Sequence, residues 1–249
     1  MLDYNSFQTS VRTTLVHGLT GQIAYTLAHG RDDMSYARYA EPENSYNLKG
    51  DYGNADFDIR HTLSAYALYD VPNFVPSVPR LGKGWQLNTI FIAHTGFPFS
   101  VFAGQNISNQ YGGGDRADLV GDPYSGVVQP NNVSGNLANG YRWFNPAAFA
   151  LPAPGNFGNT YRNQFHGPGF ASCDFSIFKT TPIVKERVSA QFRVEIFNLF
   201  NRVNLSGPAN SLGSGSGMGL VYGTLHSGDA PGIGAGEPRN VQLALKILF

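Results

Sequence analysis

The chain has 249 residues, a formal net charge of zero, 14% charged residues and 13% aromatics. A balanced charge implies no field that would draw in nucleic acid or an anionic surface. No stretch approaches the roughly 18 consecutive apolar residues of a membrane helix, but that test is blind to membrane strands, whose alternation keeps mean hydropathy modest.

The opening "MLDYNSFQTSVRT" has neither the basic start nor the apolar core of an export leader. An exported protein would carry its signal upstream, with Met1 an internal methionine. From there period two recurs, as in strands. In "SFQTSVRTTL", Phe7, Val11 and Leu15 alternate with Gln8, Ser10, Arg12 and Thr14; in "GQIAYTLAH", Ile23, Tyr25 and Leu27 oppose Gln22 and Thr26. "FDIRHTLSAYALYD" and "GWQLNTIFIAHTG" follow less cleanly, with His61 and Thr89 on the apolar side. "FASCDFSIF" sets Ala171, Cys173, Phe175 and Ile177 against Ser172, Asp174 and Ser176. Lone Cys173 excludes an intrachain disulfide and reads as a small strand hydrophobe. "RVSAQFRVEIF" divides cleanly into Val188, Ala190, Phe192, Val194 and Ile196 against Arg187, Ser189, Gln191, Arg193 and Glu195. The last stretch, "RNVQLALKILF", places Val241, Leu243, Leu245, Ile247 and Phe249 on one side.

These segments predict seven strands near 6–15, 20–30, 57–70, 84–102, 169–180, 186–200 and 238–249. Most reach the ~10 residues that a tilted strand needs to cross a bilayer, against a globular mode of roughly 5–6. Their connections alternate: "VHGLT", "VPNFVPSVPRLGK" and "TPIVK" are short, whereas Arg31–Asp56, Ala103–Pro168 and Asn201–Pro238 are long. All short turns therefore fall on one side, as in outer-membrane barrels with short periplasmic turns and long extracellular loops. The long loops are expected to be structureless. The fold class expected is an all-β, antiparallel transmembrane barrel segment. Bacterial barrels close on an even strand number. An eighth strand in "GMGLVYGTL" would break the alternation, so residues 1–249 are expected to be the C-terminal part of a larger barrel. Tyr69, Trp85, Phe97, Phe99 and Phe200 sit near predicted strand ends, where interfacial girdles belong.

Four phrases in order, "YNSFQTSVRTTLVHGLTGQIAYTLAH", "FDIRHTLSAYALYDVP", "WFNPAAFALPAPGNFGNTYRNQFHGPGFASCDFSIFK" and "RVEIFNLFNRVNL", resemble the C-terminal strands of TonB-dependent receptors. The likeness is greatest to the Oar-like group with a carboxypeptidase-regulatory-like domain. It implies ligand uptake across the cell outer membrane, a plug domain that engages TonB, and an unknown ligand. Neither plug nor TonB box is visible in this stretch. The resemblance also implies that Val241, Leu243, Leu245, Ile247 and Phe249 form the signal read by the barrel-assembly machinery, with lipid as the apolar partner.

Lumen-side Arg12, Arg60, Arg187, Arg193 and Glu195 are the candidate polar groups, contacting plug or substrate path, or else solvating the wall and pairing across strands. Asp115, Asp118 and Asp122 in "GGGDRADLVGDP" offer a weak calcium set beside the plainer reading of Asx-turns. "GSGSGMG" lacks the Lys-Ser/Thr of a phosphate loop and reads as flexible linker. His17, His29, His61, His94, His166 and His226 form no metal motif, and Ser64, Ser100 and Ser172 have no nucleophile-elbow context. Neither cofactor nor catalysis is expected. Two alternatives stay open: a soluble extracellular β-sandwich that binds carbohydrate, and an outer-membrane hydrolase.

Overall fold

The computed structural model describes residues 1–35, 42–110, 114–127, 139–184, 187–225 and 238–249. Seven long strands form one antiparallel meander: β1 (Leu2–Val16), β2 (Leu19–Asp32), β3 (His61–Val71), β4 (Trp85–His94), β5 (Phe170–Val184), β6 (Val188–Phe197) and β7 (Asn240–Leu248). Each long strand pairs with its sequence neighbours, and a two-residue strand, Gly53–Asn54, adds to β2. The sheet is open, with β1 and β7 at its edges.

Register carries the sequence alternation across the whole wall. Leu19, Tyr69, Leu87, Ile177, Val194 and Leu243 lie opposite one another in turn from β2 to β7. Residues directly opposite share a face, so these six make one apolar row. The adjacent row, Thr20, Leu68, Asn88, Ser176, Glu195 and Gln242, belongs to the other, more polar face. His61 and Thr89 lie on the apolar side, as their positions require, and both are satisfied there. His61 Nδ1 is 2.7 Å from the Tyr25 hydroxyl, and the Thr89 hydroxyl donates to the Asp174 carbonyl at 3.0 Å.

No second sheet packs on the apolar face among the described residues. Val11 is 72%, Ile23 57% and Leu245 70% exposed. The β-sandwich alternative is therefore overturned: among the described residues the remaining sheets are three two-stranded ribbons, and the greasy side of the wall meets protein only at the rim, where the cap borders Tyr25, Leu63 and Ala93.

Short turns close one end. His17 and Gly18, both with positive φ, join β1 to β2, the combination a tight type I′ hairpin demands. Between β3 and β4 lies a single helical turn, Pro79–Gly82. Its Leu81 carbonyl accepts the Trp85 indole N–H at 2.7 Å, and Lys179 caps the Arg80 and Lys83 carbonyls.

The described parts of the long connections at the other end are folded, contrary to the expectation of structureless loops. The buried hydrophobic cluster, Val101, Ala117, Trp143, Phe144, Ala148, Phe149, Phe165, Leu205, Met218 and Val221, comes entirely from the fourth and sixth connections. Predicted strand 84–102 stops at His94, and Pro98–Phe99 turns away to pair with Phe165–His166. At Gly96 the chain crosses so near the Gly167 carbonyl that a Cβ would collide with it. Phe99 thereby leaves the girdle role expected of it and stacks on Phe144 at 5.8 Å. "GMGLVYGTL" supplies a loop ribbon, Leu220–Val221 against Tyr141–Arg142, and adds no strand to the wall. "GSGSGMG" is no linker: residues Leu212–Gly217 form two short 3-10 turns that meet at a kink at Gly215, and Met218 is only 1% exposed.

Candidate functional site

The folded loops form a cap at one rim of the wall. Its aromatic centre follows from "WFNPAAF". Asn145 caps the turn Pro146–Ala148 by accepting the Ala147 N–H at 3.0 Å, which brings Phe144 and Phe149 edge to face at 5.4 Å. Phe149 meets Phe165 in the same way at 5.3 Å.

Two arginines bind the second connection to the fourth. Buried Arg116 pairs with Glu43, reaches Asp51 at 2.5 Å, and donates to the Thr160 and Gly50 carbonyls. Arg162 pairs with Asp32 at 2.6 Å and donates to Ser35 Oγ at 2.7 Å. Neighbouring Asn163 sits at positive φ and donates from its side chain to the Asn54 carbonyl and Asp56. Burial pushes the Glu43 carboxyl up from its ordinary value, against the opposing pull of Arg116. Such pairs hold position: removing one partner leaves a charge without solvent or counterion.

Where the cap meets the wall lies a cavity of about 990 Å³. Tyr25, Leu63 and Ala93, consecutive in register, contribute from the wall. Arg60, His61, Tyr124, Trp143 and His166 contribute from the rim and cap. The Trp143 indole donates to the His166 carbonyl at 2.9 Å. Burial lowers the His166 imidazole from its ordinary 6.5, outweighing the pull of Asp58.

An open wall with a lipid-compatible face, short turns at one end and a folded cap at the other is the geometry of a protein that crosses an outer membrane with strands. A family model described as outer membrane beta barrel domain matches residues 1–242. The chain belongs to that family. It is an outer-membrane β-barrel protein. No curated protein and no solved structure gives a significant match.

Within this barrel domain the five lumen-side candidates are not gathered into one site. Arg12, opposite Gln22, and Arg193 and Glu195, opposite Ala244 and Gln242, lie on the polar face as the alternation requires. Arg193 rests over the Phe178 ring at 4.5 Å and bonds Gln191 at 2.6 Å. Arg60 falls outside the strands and lines the rim cavity on the apolar side, away from the lumen position expected of it, 3.6 Å from Asp58. Arg187 stands exposed in the β5–β6 turn. Val241, Leu243, Leu245 and Ile247 occupy one exposed face of β7, with Phe249 just beyond the strand.

The three loop aspartates turn to separate tasks. Asp115 accepts the Ile107 and Ser108 N–H groups, Asp118 accepts Asn159 N–H, and Asp122 makes an Asx-turn with Tyr124 N–H at 2.9 Å. Among the described residues no group of three or more His, Cys, Asp or Glu is placed to hold a metal. His226 lies outside the described residues. What sequence reasoning missed is the Arg116 and Arg162 clamp; its only signal was arginine inside Gly-rich loops, beside carboxylates distant in sequence.

Proposed function

We propose that this domain is part of a TonB-dependent, Oar-like receptor that takes up a ligand and makes or breaks no covalent bond in doing so. The observation that carries the reading is the cap: long outer loops held by buried ion pairs present a preorganised surface, which lowers the ordering cost of ligand binding. Polar Arg12, Arg193 and Glu195 on the other face suit a lumen filled by a plug. The open edges at β1 and β7 suit closure by further strands, because an unpaired backbone in hydrocarbon costs several kcal/mol per group. On this reading the β7 residues from Val241 to Ile247, with Phe249, are the contact for the assembly machinery.

The coding sequence upstream of Met1 tests the reading first. A plug-like domain behind an export signal supports it; strands alone, with no plug, end the transport assignment. In cells, site-specific crosslinking of the intact protein to TonB is the second test, and an intact plug that never crosslinks also counts against uptake.

A further inference from the structure

The rim cavity opens on the apolar side of the wall. Tyr25, Leu63 and Ala93 share a face with Ile23, Val11 and Leu245 through the register, so the cavity floor continues the surface that meets lipid. Its height can be placed. Trp85 and Tyr69 mark the short-turn end of that face, and Ala93 lies eight residues beyond Trp85 on β4. That is roughly 26 Å along a strand and roughly 20 Å along the membrane normal at a tilt of about 40°. The cavity therefore sits at the far edge of the hydrocarbon, where headgroups begin.

Its chemistry divides at the same level. Below are Leu63 and Ala93; above are Arg60, His61 and His166, with the Tyr25 and Trp143 rings beside them. Among the described residues no Asp or Glu lines it. Asp58, the ion-pair partner of Arg60, stands 3.6 Å from it, beyond hydrogen-bond reach, and Asp58 Oδ2 is buried with no hydrogen-bond partner. The Arg60 guanidinium donates no hydrogen bond to a described residue, leaving its planar fork available to a phosphate. Aromatic rings with one apolar and one polar end belong at this depth.

We propose that the cavity seats one phosphate-bearing anionic lipid of the outer leaflet, with its acyl chain along Leu63 and Ala93 and its phosphate at Arg60 and His61. Bound there, the lipid joins wall to cap. The proposal rests on the barrel and its membrane face and is independent of TonB-dependent uptake.

The test uses the full chain carrying Trp85→Phe, which leaves Trp143 as its tryptophan reporter. It is reconstituted in phosphatidylcholine vesicles containing a minor fraction of lipid brominated near the headgroup. Brominated phosphatidic acid should quench Trp143 more than brominated phosphatidylcholine, with a preference of roughly fivefold. Arg60→Gln should remove that preference. Ala93→Phe, which fills the floor without touching the Arg60–Asp58 pair, should reduce quenching by both lipids. Equal quenching by the two lipids in the parent chain overturns the proposal, as does a preference that survives Arg60→Gln or quenching that Ala93→Phe leaves unchanged. Relief of quenching by inorganic phosphate alone would assign the site to a soluble phosphate compound and also overturns it.

Discussion

Arg116 shows how much can depend on one side chain in a loop. It is buried, and its guanidinium answers Glu43 and Asp51 across more than sixty positions of sequence. Arg116→Met should leave both carboxylates without their cation and destabilise the cap by about 3–5 kcal/mol. Limited proteolysis should then cut the long loops while the strands stay protected. His166 gives the cap a pH dependence. Burial lowers its folded-state value below the ordinary 6.5, so the unfolded chain binds the proton more readily than the folded cap does. Its contribution is present above 6.5 and is lost as pH falls through the lowered folded value. Cap protection from protease should weaken on acidification over that range, and His166→Asn should remove that component of the dependence. Neither role is legible in sequence. A histidine or arginine in a loop carries no periodicity, and its partners are set by how distant connections meet.

At the scale of the element, seven strands were legible because alternation is local. Each strand holds its own record of which side chains face lipid, and the register repeats it in every neighbour. The wall makes this testable by a paired substitution. Val194→Arg, between Ile177 and Leu243 in the apolar row, should cost about 2–4 kcal/mol at mid-membrane depth. Ala244→Arg, on the opposite face beside Arg193, should cost far less. Urea unfolding in vesicles compares the two, and equal costs would mean that the faces are wrongly assigned. Strand ends were less legible than strand bodies. The 84–102 segment keeps an aromatic-rich pattern past His94, yet Phe99 serves the cap once Gly96 lets the chain turn beneath Gly167, while the exposed Phe97 ring stays edge-on to His94 at 5.6 Å. Similarly β6 stops at Phe197, where Asn198 takes a positive φ and its backbone N–H bonds Asp174 at 2.8 Å.

For the whole molecule, the unusual feature is where burial occurs. A soluble sheet protein buries the apolar face of its wall, whereas here the buried cluster lies in the connections and the apolar wall stays open. This inversion is what lipid as solvent permits. The open edges set the remaining prediction. In the outer membrane, amides of β1 and β7 directed away from β2 and β6 should exchange with deuterium as slowly as those inside the sheet, because lipid tolerates no unpaired edge. Fast exchange at those amides in the membrane-inserted protein would show that the edges are left unpaired there.

The amino-acid sequence alone determined the strands, their two faces and the alternation of short and long connections, since each follows from spacing two residues apart or from the length between such runs. Tertiary structure decided the cap, the two arginine clamps and the rim cavity. Those depend on pairs such as Arg116 with Glu43 and Trp143 with His166, brought together only after the wall has set the loops side by side.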